Sequence, residues 1–186
     1  MKIRIISGYL KGRYIKVPQS KFIRPTTDRV RETLFNILNN LINFDGISVL
    51  DLYSGSGVLG FECISRGAKS VLFVEQNFFI YKNLNENIEL LGLDDKCSVV
   101  RSNVIVFTRK KSLKSFDLIL ADPPFLEYDI YDVVKNIKIN GFMNNESLMI
   151  IERSIQTKDK DIESFQIEPF RIIGDACLYQ IRLSIC

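Results

Sequence analysis

Two short stretches of the sequence combine residue types that could do chemistry. The first runs from Asp51 to Gly60 and reads Asp-Leu-Tyr-Ser-Gly-Ser-Gly-Val-Leu-Gly, and the second is Asp122-Pro-Pro-Phe125. In the first stretch, Gly55, Gly57 and Gly60 reproduce the G-x-G-x-x-G pattern at the point where a short apolar run should turn into a helix. Glycine there lets a ligand approach the backbone closely, so the sequence predicts a nucleoside-binding loop.

A second apolar run also ends in a carboxylate. Residues 70–74 are followed by Glu75, which lies 24 residues after Asp51. This is close to the spacing of about 20 residues expected of an acid that binds a ribose from the second strand. We therefore predict that Glu75 binds ribose hydroxyls.

The residue at position 51 discriminates between nucleotide ligands. A dinucleotide loop presents backbone N–H groups and a helix N-terminus to a pyrophosphate, and a carboxylate such as Asp51 would repel that anion. The same carboxylate favours a cation, and S-adenosylmethionine carries a sulfonium and an ammonium group on an adenosine. We predict S-adenosylmethionine as the cofactor, with Asp51 acting directly or through water.

The second stretch supplies hydrogen-bond acceptors after another predicted strand, so Asp122 should emerge where parallel α/β sheets bind ligands. An exocyclic amine on a purine is a poor nucleophile because its lone pair is delocalised into the ring, and acceptors for its hydrogens localise that pair. Asp122 and the Pro123 carbonyl are such acceptors, and the prolines have no N–H to compete. Phe125 offers a face for base stacking. The predicted catalytic residues are Asp122, Pro123 and Phe125, and the predicted reaction is methyl transfer to an amine.

Residue types that are missing narrow the chemistry. The chain has no histidine, which excludes a histidine base, a Ser-His-Asp triad and a histidine-ligated metal. The cysteines at 63, 97, 177 and 186 form no C-x-x-C pair, so we expect neither disulfides nor a metal. Together with the lack of a signal peptide and of an apolar stretch near 18 residues (roughly the length that spans a bilayer), they favour a cytoplasmic protein, and we expect a monomer.

Positive charge is concentrated at the N-terminus. The 186-residue chain has a net charge of +3, but residues 1–31 contain nine Lys or Arg and one acid, a local charge of +8. Because such residues gain affinity for phosphates by releasing counterions, residues 1–25 are predicted to be an RNA-binding arm. Tyr9, Tyr14 and Phe22 lie among the charges and suit stacking on unpaired bases. The alternative is a solvated charged face.

The order of predicted elements defines the fold of one domain over residues 1–186. The patterns predict a hairpin over 3–17, a helix from Asp28, and strands at 47–52, 70–75, 97–101, 116–121 and 147–152. Helices are predicted at 58–66, 77–91, 104–111 and 128–137, and two final strands at 165–172 and 177–185. This alternation indicates an α/β fold with a Rossmann-like, seven-stranded mixed sheet flanked by helices, extended by the small N-terminal hairpin.

The first long helix should be amphipathic. Its predicted apolar stripe is Val30, Leu34, Ile37, Leu38, Leu41 and Ile42. These positions recur at helical spacing, and Thr27 or Asp28 would cap the helix. The same spacing puts Arg29, Glu32 and Asn36 on a polar edge, which either borders the glycine loop or is merely solvated.

With these motifs in place, the chain resembles the bacterial guanine-N2 methyltransferases of 16S ribosomal RNA, the RsmD type, over essentially its whole length. The segments that carry the resemblance are Arg4–Gly8, Arg24–Asn36, Asp51–Glu62, Ser65–Ala68, Phe73–Glu75 and Asp122–Phe125. The Arg24–Asn36 block is the most discriminating, because the other motifs recur in many amino-methyltransferases.

The resemblance implies a Rossmann-like enzyme that methylates one guanine of 16S ribosomal RNA, either as free RNA or in the assembling 30S subunit. The cofactor-binding set is Asp51, Tyr53, Ser54, Gly55, Gly57, Gly60, Glu75, Gln76, Asn103 and Asp122. The basic arm supplies Lys11, Arg13, Lys16 and Arg24 as RNA-binding residues, and the resemblance adds Thr26, Arg29 and Glu32 at the entrance to the site. Asn103 stands where the family often has an acid at the adenine amine, and its amide oxygen could accept the same hydrogen bond.

Other functions use similar motifs. An adenine-N6 DNA methyltransferase or a protein glutamine methyltransferase could use the Asp-Pro-Pro-Phe chemistry. A NAD-dependent oxidoreductase is disfavoured by Asp51, and a non-catalytic RNA-binding module would bind RNA without methyl transfer.

Overall fold

The computed structural model describes residues 1–18, 28–124 and 128–183, except for the side chains of Asp28 and Arg29. The strands are β1 (Lys2–Arg4), β2 (Tyr14–Lys16), β3 (Ser48–Leu52), β4 (Ser70–Glu75), β5 (Cys97–Arg101), β6 (Leu118–Ala121), β7 (Leu148–Ser154), β8 (Arg171–Ile173) and β9 (Ala176–Ile181). The helices are α1 (Asp28–Leu41), α2 (Val58–Ser65), α3 (Phe78–Leu91), α4 (Val104–Thr108), α5 (Ile130–Ile139) and α6 (Lys158–Phe165), the last preceded by a 3-10 turn at Ile155–Thr157.

Seven strands form one mixed sheet in the order β5-β4-β3-β6-β7-β9-β8. The first five in this order run parallel to one another, whereas β9 is antiparallel to both β7 and β8. Strands β1 and β2 pair separately as an antiparallel hairpin. The predicted Rossmann-like architecture, the N-terminal hairpin and the final antiparallel pair are confirmed.

Two apolar clusters cover the two faces of the sheet. One contains residues of the hairpin, α1, α2 and α3, and we call this side the hairpin face. The other contains residues of α4 and α5, with α6 residues packed against it, and we call it the opposite face. Among the described residues, no helix is long and apolar enough to cross a membrane.

Helix α1 buries a face that differs from the predicted stripe. Leu34 and Leu38 are buried as expected, but Leu41 is 40% exposed, and Arg31 and Phe35 are fully buried instead. Positions 31, 34, 35 and 38 share one side of a helix, so the buried face is rotated toward Arg31. The prediction missed Arg31 because a charged residue does not appear in a hydrophobic pattern, and it also left out Phe35, an apolar residue on the same side of the helix. The predicted cap at Thr27 or Asp28 lies outside the described side chains.

The C-terminal region contains a helix that the sequence patterns missed. Helix α6 occupies part of the segment before the predicted strand at 165–172, and that strand, β8, begins only at Arg171. The fully buried Asp161 of α6 accepts hydrogen bonds from Arg153, Thr157 and Tyr131 at 3.1, 2.7 and 2.7 Å. Only Ile162 and Phe165 of this helix pack against the apolar cluster, so an eight-residue helix with five charged residues shows little apolar periodicity.

One buried carboxylate joins the hairpin, α1 and α2. Glu62 of α2 lies 3.6 Å from Nε of Arg31 and 3.7 Å from Nε of Arg66, and it accepts a hydrogen bond from the Ile6 N–H. Arg31 in turn donates to the Arg4 carbonyl at 2.9 Å. The N-terminal segments are therefore fixed to the sheet domain through a desolvated charge cluster.

Replacement of Glu62 by Gln tests this cluster. The change keeps the side-chain size but removes the negative charge of Glu62 next to Arg31 and Arg66, and loss of one partner of a buried ion pair costs about 3–5 kcal/mol. We expect urea unfolding to show a fall in the free energy of unfolding of this order. Glu89→Gln, on the exposed side of α3, is the matched control. Equal stability of the two variants would contradict the assignment.

Candidate active site

Four neighbouring strands carry an acid at their carboxyl ends on the hairpin face. In the sheet order β4, β3, β6 and β7 these acids are Glu75, Asp51, Asp122 and Glu152. Asp51 is in register with Phe73 and Leu120, which belong to the core of this face. The other three acids each lie two residues beyond a core residue of the same face, so strand alternation points all four to one side. We call this set the acidic row.

The acidic row lies at the place where α/β sheets bind ligands. The chain runs outward from β3 through β4 to β5 and then returns to β6 on the other side of β3. Such a reversal opens a crevice outside the carboxyl ends of the two strands that flank it. Asp51 and Asp122 border this crevice, so the structure brings the two predicted motifs together.

Asp51 is 2% exposed and sits beneath the glycine loop. Its Oδ2 accepts a hydrogen bond from the Gly60 N–H at 3.1 Å, which ties the end of β3 to the first turn of α2. Burial raises the pKa of the Asp51 carboxyl well above its usual range, and the charges of Asp122 and Glu75 raise it further, against the effect of the Gly60 bond. A cation in the crevice would relieve this repulsion.

The three glycines of the loop do different work. Gly55 and Gly57 have positive φ values of 52° and 74°, in the left-handed region that other residues disfavour. A Cβ on Gly57 or Gly60 would collide with protein side chains, whereas a Cβ on Gly55 would meet nothing nearer than 3.8 Å. Close approach of a ligand therefore explains the need for glycine only at position 55. At positions 57 and 60, glycine is required because the protein's own side chains pack against the backbone.

Glu75 is buried at the end of β4 and holds the loop. Its Oε2 accepts a hydrogen bond from the Gly55 N–H at 3.1 Å, and its Oε1 accepts one from the Asn77 N–H at 2.7 Å. A carboxylate has about four acceptor positions, so both oxygens keep capacity for hydroxyl donors.

Asn103 caps a helix. Its amide oxygen accepts hydrogen bonds from the N–H groups of Ile105 and Val106 at 3.0 and 3.3 Å, at the start of α4. Its amide nitrogen donates to Oε1 of Gln76 at 3.0 Å. Both lone pairs of the Asn103 oxygen are thus occupied. The predicted acceptor for an adenine amine stays a prediction, and the geometry assigns that oxygen to the helix end.

The side chains of Tyr53 and Ser54 hold the glycine loop through hydrogen bonds to other parts of the chain. Tyr53 has a φ of 55°, and its hydroxyl donates to Oδ1 of Asp129 at 2.9 Å, so it links the glycine loop to the segment after β6. The Ser54 hydroxyl donates to the Asp51 carbonyl at 2.6 Å and accepts from the Val74 N–H at 2.9 Å. Both side chains are engaged with the protein itself, and their roles as cofactor ligands stay predictions.

The predicted catalytic turn is described in part. Asp122 is half-buried, Pro123 is buried and Pro124 is exposed. Phe125 lies outside the described residues. Glu152, next to Asp122 in the acidic row, was missed by the sequence reasoning. An available signal was its position after an apolar strand, since Leu148 to Ile151 precede it as Leu118 to Ala121 precede Asp122.

The basic arm lies along the hairpin face. Lys11, Arg13 and Lys16 are exposed, and Arg13 donates to the Leu90 carbonyl at 3.3 Å near the C-terminal end of α3. Helix α3 has 14 residues, starts at the carboxyl edge of the sheet and, at 1.5 Å per residue, is about 21 Å long. The hairpin turn is therefore at the far end from the acidic row, whereas α1 begins nearer to it.

The remaining RNA-binding predictions concern the entrance to the site. Glu32 is exposed on α1. Arg24 and Thr26 lie outside the described residues, and Arg29 is described only as part of the backbone of α1. Their roles stay predictions.

Three of the four cysteines are described by the structure, and Cys186 lies outside the described residues. Cys63, Cys97 and Cys177 are buried free thiols, and burial raises the pKa of Cys97 to about 12. The part of the chain that the structure describes contains no group of three or more residues suited to a metal ion.

The fold and this site define a Rossmann-like methyltransferase. The sequence model of the family described as conserved hypothetical protein 95 matches residues 3–181. The chain therefore belongs to that family, as the resemblance of its motifs predicted.

Relatives of this chain are similar over most of its length. Ribosomal RNA small subunit methyltransferase D of Escherichia coli is 36% identical over 155 residues, which cover 83% of this chain and 76% of that protein. A putative rRNA methyltransferase of Bacillus subtilis, YlbH, is 31% identical over 163 residues, with 87% and 85% covered. The solved structure of the putative methyltransferase yhhF from Escherichia coli superposes with a TM-score of 0.80 at 30% identity and covers 99% of this chain and 100% of that one.

A substitution at Gly60 tests the packing role of the loop. A Cβ there would lie 2.3 Å from Cε1 of Phe73 and 2.9 Å from Cγ1 of Val71. Overpacking of this kind costs about 1–3 kcal/mol, which exceeds the roughly 1 kcal/mol that Ala gains over Gly in a helix. We expect Gly60→Ala to lower the melting temperature and Phe73→Leu in the same chain to restore part of the loss. A single variant as stable as the parent would show that the contact is unimportant.

Proposed function

We propose that this protein transfers the methyl group of S-adenosylmethionine to the exocyclic N2 amine of a guanine in 16S ribosomal RNA. The observation that carries the proposal is the meeting of two motifs at one crevice, where the glycine loop with Asp51 and Glu75 faces the Asp122-Pro123 turn. Relatives named as small-subunit ribosomal RNA methyltransferases support RNA as the substrate class.

The residues of the crevice fit this cofactor. The acidic row attracts the sulfonium and ammonium groups of the ligand, and the coupling among Asp51, Asp122 and Glu75 is relieved by their positive charge. Glu75 retains acceptor capacity for ribose hydroxyls, and Gly55 leaves open space beside the loop. When bound, S-adenosylmethionine supplies an electrophilic methyl group.

The turn after β6 prepares the acceptor. The Asp122 carboxylate and the Pro123 carbonyl accept the hydrogens of the guanine amine and thereby localise its lone pair. With the cofactor bound, the amine nitrogen would form the new N–C bond as the S–C bond breaks and sulfur keeps the electron pair, and the nitrogen would then pass its extra proton to the Asp122 carboxylate or to water. Most of the rate enhancement comes from holding the reacting atoms in attack geometry, an effect that approaches about 7–11 kcal/mol. Phe125 stacks on the flipped base.

The RNA follows the hairpin face toward the crevice. The exposed basic residues of the hairpin alternate with Ile3, Ile5, Ile15 and Val17, which point into the core. Because the hairpin turn is about 21 Å from the carboxyl edge by the length of α3, an RNA that contacts both must span the whole height of the sheet. A structured ribosomal RNA segment satisfies this requirement, whereas a single nucleotide does not.

The substrate class is tested by transfer of a tritiated methyl group to RNA, DNA and protein acceptors offered in parallel. We expect incorporation into 16S ribosomal RNA lacking the modification, at a guanine N2 identified by mapping the product. Preferential labelling of DNA adenine or of a protein glutamine would replace the proposal by one of those activities. RNA binding without transfer to any acceptor would indicate a non-catalytic module.

Replacement of Asp122 by Ala separates cofactor binding from catalysis. The variant loses the main acceptor for the amine, so we expect kcat to fall about 100-fold or more, in the range of a lost proton acceptor. Calorimetry should still detect S-adenosylmethionine binding, because Glu75 and the glycine loop are unchanged. Asp94→Ala, exposed at the other end of the sheet, is the control. Unchanged turnover in the Asp122 variant would remove this residue from the mechanism.

The arm is tested by the salt dependence of RNA binding. Neutralising Lys11, Arg13 and Lys16 together should weaken RNA binding. The slope of log affinity against log salt concentration should become less steep by up to about 2, since each phosphate contact on a single strand contributes about 0.7 to the slope. The control triple is Lys110, Lys135 and Lys138, which are exposed on the α4–α5 side. An identical slope for the two triples would show that the hairpin is not the RNA contact.

A further inference from the structure

We propose that Glu152, in its neutral form, donates a hydrogen bond to Asp122 and so positions that carboxylate for the acceptor amine. Glu152 is thus a positioning residue, and this role rests on the proposed methyl transfer at Asp122. The sequence motifs assign it no function, because it lies on β7, outside both the glycine loop and the Asp-Pro-Pro turn.

Strand register places the two acids side by side. Strands β6 and β7 are parallel neighbours in which Ala121 pairs with Ile151. Asp122 directly follows the end of β6, and Glu152 is the next residue of β7. Each lies two residues beyond a core residue of the hairpin face, Leu120 for Asp122 and Ile150 for Glu152, and the two acids therefore point to the same side of the sheet.

Glu152 forms no ion pair with the residues that the structure describes. Glu152 is 9% exposed, and its Oε2 is buried without a hydrogen-bond partner among the residues that the structure describes. Its register partner on β9 is Leu178, which does not titrate, and Arg153 is engaged with Asp161 in a separate buried pair. Of the groups in the acidic row, Asp122 is the one whose charge acts on Glu152, and Asp51 and Glu75 follow beyond it.

This environment favours a carboxylic acid. Burial, with the Asp122 charge beside it, raises the pKa of Glu152 to about 8. The neighbouring carboxyl groups of Asp122 and Glu152 then share one proton, because two negative charges on adjacent strands repel each other. The protonated form of Glu152 is an O–H donor. A hydrogen bond from this group to Asp122 would satisfy the buried carboxyl group of Glu152 and hold the Asp122 side chain in place.

A hydrogen bond from Glu152 occupies one acceptor position of the Asp122 carboxylate. A carboxylate has about four acceptor positions, so this donor is compatible with acceptance of the amine hydrogens. The bond instead restricts rotation of the side chain, and small errors in the placement of reacting groups reduce the rate strongly. As the pH rises through the pKa of Glu152, the donor is lost and a second anion appears beside Asp122.

Two variants at this position test the proposal. Glu152→Gln keeps a donor that does not titrate, whereas Glu152→Leu keeps the approximate volume and removes the donor. With kcat measured between about pH 6 and pH 9, we expect the parent to lose activity on the alkaline side, the Gln variant to lose that limb, and the Leu variant to fall at least about tenfold throughout. Binding of S-adenosylmethionine, measured by calorimetry, should persist in both.

The controls make each outcome decisive. Glu86→Gln, exposed on α3, should reproduce the parent profile. The same alkaline limb in the Gln variant, or undiminished kcat in a folded Leu variant, would overturn the role of Glu152. If the Leu variant does not fold, the pH profile of the Gln variant alone decides. Failure of the parent to transfer methyl groups at all would instead overturn the proposed function.

Discussion

The arrangement of the site depends on like-charge repulsion at one edge of the sheet. Four adjacent parallel strands each present an acid to the same face, in the order Glu75, Asp51, Asp122 and Glu152. The pKa values of Asp51 and Glu152 are raised by burial and by neighbouring carboxylates, so the row is under electrostatic strain without a cation. Such a row favours a cation near Asp51 and Asp122 in its centre, as a sulfonium cofactor requires. It favours a proton on Glu152 at its end, as a hydrogen bond to Asp122 requires.

The same edge is held in shape by contacts that touch no ligand. Gly60 ties α2 to Asp51, Glu75 fixes the N–H of Gly55, and Tyr53 connects the loop to Asp129, which precedes α5. Behind the edge, the buried Glu62 cluster fastens the hairpin and α1 to the back of α2. A preorganised site of this kind does not have to order its own groups when a ligand binds, which is how a protein without histidine can rely on positioning.

Sequence patterns located most elements because strands and helices differ in local periodicity. The limits of β4 and β5 agree with prediction, and the glycine and Asp-Pro-Pro motifs lie at strand ends as expected. The failures occurred where buried polar groups replaced apolar ones. Arg31 belongs to the buried face of α1, from which Leu41 is turned away, and the buried Asp161 of α6 is held by side-chain hydrogen bonds. Periodicity records hydrophobic residues and is blind to ion pairs formed across the chain.

The sequence by itself determined the α/β class, the two motifs, the acid at Glu75 and the basic N-terminus. Each of these features depends on residues that are close together along the chain. Only the tertiary structure decided that Glu152 lies beside Asp122 and that the Asn103 amide oxygen caps helix α4. It also decided that the hairpin turn with Lys11 and Arg13 lies at the far end of the sheet from the crevice. These facts follow from strand order, register and helix length. They relate residues that are distant along the chain, and no local pattern encodes such distances.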